Sequence, residues 1–158
     1  MKTLVVYDSV FGNTEQVAQA IGRALGTAPE VVVVRVGNAR PELLSGVELL
    51  VVGSPTRGFR PTPAITQWLK ALPAASLNGV SVAAFDTRIS VEDTGNWFLK
   101  FMAGLFGYAA KPIASGLAKA GGSQVAEPEG FIVVDREGPL KEGEAERAAA
   151  WARGLVTQ

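Results

Sequence analysis

The 158-residue chain contains no cysteine and no histidine. Without cysteine there are no disulfides, thiolate metal sites or cysteine nucleophiles. Without histidine, Ser-His-Asp chemistry and the commonest metal ligand are both gone. Net charge is missing too, since 15 Lys and Arg balance 15 Asp and Glu. Overall charge therefore gives no reason to expect nucleic acid or an anionic membrane as partner. The longest uncharged apolar-rich run, residues 101–110, is too short to span a bilayer. No Walker A, Gly-x-Gly-x-x-Gly or Gly-x-Ser-x-Gly pattern occurs. Nucleoside triphosphates, dinucleotides at that motif and serine hydrolysis thus have no support. Met1-Lys2-Thr3 leads directly into an apolar segment with no signal-peptide pattern. The expectation is a soluble cytoplasmic protein without a membrane span.

What is present is a globular composition, 47 % hydrophobic, in a length that suits one domain over residues 1–158. Strand and helix signals alternate throughout. Apolar, β-branched runs predict strands at 3–7, 30–36, 47–53, 80–85 and 131–134. Helical spacing begins at Asn13, with Val17, Ile21, Ala24 and Leu25 on one side. A second helix starts at Thr62-Pro63, with threonine as cap and proline in the first turn. Its apolar face is Ile65, Trp68, Leu69 and Leu72. Another runs from Pro112 to Lys119 and ends at Gly121-Gly122, and the last covers 142–156. Trp97, Phe98, Phe101, Met102, Leu105 and Phe106 make a further segment apolar almost all round. It reads as buried against the sheet; the other reading exposes part of it as a partner surface or a quinone-binding wall. Alternation of this kind implies an α/β fold: a parallel sheet in three layers, α/β/α.

Between the first strand and first helix lies Ser9-Val10-Phe11-Gly12-Asn13-Thr14. Gly12 permits a positive φ, and a helix starting at Asn13 leaves its first N–H groups free. Asn13 with Gln16 three residues later fits a capping pattern. Free N–H groups, the helix dipole and the Ser9 and Thr14 hydroxyls together suit a phosphate. The same residues also suit an ordinary strand-to-helix turn. Tyr7 to Ala18, Tyr-x-Ser-x-x-Gly-Asn-Thr-x-x-x-Ala, resembles the phosphate loop of the flavodoxins, which bind flavin mononucleotide (FMN). Phe11 departs from the threonine common in that family and is more similar to the flavodoxin-like quinone reductases. Gly53 to Gly58, Gly-Ser-Pro-Thr-Arg-Gly, resembles the flavin loop of those reductases.

The resemblance implies a flavodoxin-like doubly wound five-stranded parallel sheet of order 2-1-3-4-5, in the short-chain form. The ligand of such a sheet lies at the carboxyl ends of the strands. It further implies that Ser9, Val10, Phe11, Gly12, Asn13 and Thr14 hold the FMN phosphate. Pro55, Thr56, Arg57, Gly58 and Phe59, with Asp86, Thr87 and Arg88, would border the ring. Residues 86–90 are expected to form a loop without the family's usual aromatic, and Phe59 and Trp97 are the nearest substitutes. Arg57, Arg60 and Arg88 suggest a positive rim favouring reduced, anionic flavin, whereas flavodoxins are generally acidic there. No catalytic side chain and no metal ligand is expected. A phospho-receiver domain is rejected, because strand three ends in Gly53-Ser54 and strand five lacks a lysine. The implied function is an electron carrier between a reductase and an acceptor protein. Alternatives are an FMN-dependent NAD(P)H:quinone-type oxidoreductase and a binding or regulatory module that has lost flavin.

Overall fold

The computed structural model describes residues 1–90 and 95–157, apart from the side chain of Phe106. The strands are β1 (Thr3–Tyr7), β2 (Val31–Arg35), β3 (Leu49–Pro55), β4 (Ser81–Ile89), β5 (Ser123–Gln124) and β6 (Glu129–Val133). The helices are α1 (Asn13–Leu25), α2 (Pro63–Ala71), α3 (Trp97–Phe106), α4 (Ala110–Lys119) and α5 (Glu144–Leu155). The sheet is wholly parallel, in the order β2-β1-β3-β4-β5, with β6 also on β4. In register, Thr3 faces Val31 on one side and Leu49 on the other, and Leu49 faces Ser81.

Strand residues alternate between two cores, as the pleat requires. Leu4, Val6, Leu50, Val52, Val82 and Ala84 pack under α2 and α4, through Ile65, Ile113, Ala114 and Leu117. Val5, Tyr7, Leu49, Val51, Ala83 and Phe85 pack under α1 and α5, through Val17, Ile21, Ala148 and Ala152. Phe85 sits so close to β3 that a Cβ at Gly53 would come 2.0 Å from its ring, so this strand position demands glycine.

Four features differ from the sequence reading. Residues 86–89 are not loop: β4 runs on through them because Pro55 of β3 and Phe131–Val133 of β6 offer partners. The fifth strand is split, with β5 beside the start of β4 and β6 beside its end. The short piece carries no apolar run, so periodicity does not reveal it. The cap of α1 is Gly12 at φ 94°, with no side-chain cap bond; Asn13 instead turns its amide to the carbonyl of Glu137 at 3.2 Å. Finally, α3 is not buried against the sheet: Trp97 is 76 % exposed and Phe101 59 %. The underside of that half of the sheet is already taken by α4, whose Ile113 and Leu117 are fully enclosed.

Candidate functional site

At the carboxyl ends of β1, β3, β4 and β6 the chain opens into a cleft of about 380 Å³. The β1–α1 turn supplies Ser9, Val10, Phe11, Asn13 and Thr14. Its shape is set by Gly12, by the Gly12 N–H bonding the Ser9 hydroxyl at 3.1 Å, and by Arg35 at the end of β2. The Arg35 guanidinium donates to the Ser9 carbonyl at 2.8 Å and pairs with Asp8 at 3.3 Å. Tyr7 donates to Glu15 beside them; burial and that carboxylate push its phenol above the ordinary value. The N–H groups of Asn13 and Thr14, first in α1, have no helical acceptor and stand at the cleft.

The second wall is Pro55, Thr56, Arg57 and Gly58. Arg57 and Arg60 exchange backbone hydrogen bonds of 2.8 and 3.1 Å, closing a tight turn. Gly58 and Phe59 occupy its two central positions at φ 56° and 66°, the pairing of a type I′ turn. The Arg57 guanidinium lies 5.9 Å from the Phe11 ring centroid, so one wall of the cleft is an aromatic with a cation over it.

Thr87, Arg88 and Ile89 from β4 form the third wall, and the Thr87 and Thr14 hydroxyls are 2.8 Å apart. The fourth side, Val133 at the end of β6 and Arg136 just past it, is absent from the sequence reading. Arg136 lies in a short polar segment after β6 that carries no motif. Arg136 brings a cation to the same cleft as the first turn of α1. Hydroxyls, unbonded N–H groups, a helix N-terminus and an arginine form a donor set that fits an anion. Among the described residues no carboxylate lines this cleft.

Gly12, Phe59 and Asp86 fall outside the lining. Gly12 shapes the turn, and Phe59 lines a neighbouring groove with Arg60 and Met102. Trp97 projects into solvent and does not take the ring-side place. Asp86 is fully buried and accepts two bonds from Arg88, at 2.7 and 2.8 Å, and one from the Ala110 N–H at 2.9 Å. Burial pushes its carboxyl above the ordinary value, against the pull of Arg88. Arg88 in turn lies 3.7 Å from the Tyr108 ring centroid, and a Cβ at Gly130 would collide with its guanidinium at 2.2 Å. Arg88 is therefore neutralised and stacked rather than a free cation on the rim. Of the expected rim Arg60 falls outside the lining, and the arginines at the cleft are Arg57, the ion-paired Arg88 and Arg136.

The flavodoxin family model matches residues 5–151. The chain belongs to the flavodoxin family. Flavodoxins bind flavin, typically FMN, and pass electrons to redox partners. Oxidised Flavodoxin 1 from Bacillus cereus has the same fold, with a TM-score of 0.76 at 18 % identity over 100 % of this chain and 99 % of that one. A flavodoxin from the Archaea follows at 0.74 and 20 %, covering 99 % and 96 %. A WrbA-like protein from Agrobacterium tumefaciens gives 0.73 and 17 %, covering 98 % and 94 %. No curated protein matches the sequence. For this flavodoxin the order 2-1-3-4-5 thus stands, with its fifth strand in two pieces.

Proposed function

We propose that the cleft binds FMN and that the protein carries electrons on it between a reductase and an acceptor protein. The observation that carries this reading is the anion-fitting end of the cleft. There Ser9, Thr14 and Arg136 line the same cleft as the first turn of α1, whose Asn13 and Thr14 N–H groups have no helical acceptor. Bound FMN supplies the redox chemistry, and the chain's residues bind and orient it. Ser9, Asn13, Thr14 and Arg136 hold the phosphate. Phe11, Pro55, Thr56, Arg57, Gly58 and Thr87 border the rest, with backbone groups carrying much of the recognition. Arg57 favours the reduced, anionic flavin by charge, so Arg57→Ala lowers the flavin potential.

The test is a fluorescence titration of the purified protein with FMN and with riboflavin, which lacks the phosphate. FMN should bind far more tightly than riboflavin. Arg136→Ala should weaken FMN roughly tenfold, the worth of one charge-assisted bond, and leave riboflavin unchanged. Equal affinity for the two flavins would overturn the phosphate assignment, and no binding of either would overturn the cofactor. Negligible NADH oxidation with a quinone as acceptor separates a carrier from an oxidoreductase.

A further inference from the structure

The net charge of zero conceals a separation of charge. Between residues 49 and 126 the acids are Asp86, which is buried and ion-paired, and Glu92 and Asp93, which lie outside the described residues. Over the same span Arg57, Arg60, Lys70, Lys100, Lys111 and Lys119 are all exposed. Of these, Lys100 is on α3, and Arg60, Lys70 and Lys111 stand beside it. One groove joins Arg60 and Lys70 to Met102 of α3 and Pro112 of α4, and a second joins Lys70 to Lys119. Lys111 lies against the last turn of α3, in ordinary contact range of Gly107.

Beside these cations stands an apolar ridge. Trp97, Phe101 and Leu105 follow one another at helical i, i+4, i+8 spacing, with Phe98 beside them. They are 76 %, 59 %, 63 % and 52 % exposed, in the order just given, while among the described side chains of this helix Ala103 alone is buried. A contiguous set of large exposed apolar side chains marks an interaction surface.

We propose that α3 and the cations beside it seat this protein on an anionic lipid bilayer, with α3 lying in the interface plane. Tryptophan, phenylalanine and leucine are the side chains that partition to the headgroup boundary, and lysine and arginine meet the anionic headgroups around them. A ridge of projecting side chains enters a lipid surface without needing a matching groove. A second copy of the chain would bring two faces of the same charge together, which opposes pairing. Gly58 lines both the cleft and the groove beside α3, so the seated protein presents the cleft mouth near the membrane. This inference goes beyond the flavin reading and stands whether or not FMN binds.

The experiment is co-sedimentation of the full chain with vesicles of phosphatidylcholine alone and of equal parts phosphatidylcholine and phosphatidylglycerol, over a salt series. The mixed vesicles should bind the protein, more weakly as salt rises, and Trp97 emission should shift to shorter wavelength. Phe101→Ser with Leu105→Ser should reduce binding more than tenfold. Lys111→Gln and Lys70→Gln should each reduce it roughly fivefold. Phe101, Leu105, Lys70 and Lys111 are all exposed, and circular dichroism checks that each variant keeps its fold. Three results each overturn the proposal: no binding to mixed vesicles, equal binding to neutral ones, or a dimer in solution that the serine variant abolishes. Salt-sensitive binding to polyglutamate without vesicle binding overturns it as well, and points to an acidic protein instead.

Discussion

Helices α5 and α3 invert the usual relation between apolar content and burial. Helix α3 reads Trp-Phe-Leu-Lys-Phe-Met-Ala-Gly-Leu-Phe, yet its largest side chains stand in solvent. Helix α5 is mostly alanine, glutamate and arginine, yet Ala148 and Ala152 are completely enclosed. Small side chains let α5 approach α1 and the sheet closely, and Trp151 completes an edge-to-face group with Phe85 and Phe131 at centroid distances of 6.3 and 6.0 Å. Polar groups then pin its start. Glu144 accepts from the Ile132 N–H at 2.7 Å and from Arg147, and Arg147 lies 4.5 Å from the Phe131 ring centroid while pairing with Glu129. Among its described contacts, α3 has at the corresponding end its cap: the Asn96 side-chain Oδ1 accepting from the Phe98 and Leu99 N–H groups. Burial is thus allotted by the surface available on the sheet, and hydrophobicity only competes for it.

The largest expected effect tests that allotment directly. Phe131→Ala should cost about 3–5 kcal/mol in urea unfolding, whereas Phe101→Ala should stay within about 0.5 kcal/mol. Comparable losses would mean that α3 packs in solution. Glu144→Gln comes next, at about 1.5–3 kcal/mol near neutral pH, because it removes charge from a hydrogen-bonded carboxylate. The bonds from Arg147 hold the Glu144 carboxyl below its ordinary value, ahead of the opposing effect of burial. Its contribution is therefore present above the unfolded value of 4.5 and is lost as pH falls through the lower folded value. The gap between wild type and variant should close in acid; a gap that persists there would exclude the carboxylate as its source.

Ala152→Leu should cost about 1–3 kcal/mol by overpacking against α1. Gly104→Ala on α3 meets nothing within 4 Å and should raise helix stability by up to about 1 kcal/mol. The smallest effect concerns the caps. The Thr62 hydroxyl accepts from Ile65 at the start of α2, whose core anchor is fully buried. Thr62→Ala should lower global stability by about 1 kcal/mol, and Asn96→Ala by a similar amount seen only as faster amide exchange within α3. A global loss from the Asn96 variant would show that α3 unfolds with the whole molecule.

The class of the fold and the first turn of the cleft were legible because they are local. A run such as Val31–Arg35 has few alternatives to a strand, and Gly12 before Asn13 marks the start of α1. Thr62-Pro63 marks α2 for the same reason. What depends on neighbours distant in sequence was not legible. Asp86 and Arg88 look like loop residues until β6 arrives to extend β4 and Tyr108 receives the guanidinium. Arg136 enters the cleft three residues beyond the carboxyl end of β6, which pairs with the far half of β4. A balanced charge count says nothing of where the charges stand, and a mostly apolar ten-residue helix does not reveal that α4 already covers the sheet. Short-range preferences are written residue by residue, whereas the partners of an edge strand, a buried carboxylate or an apolar helix exist only once the chain has closed around them.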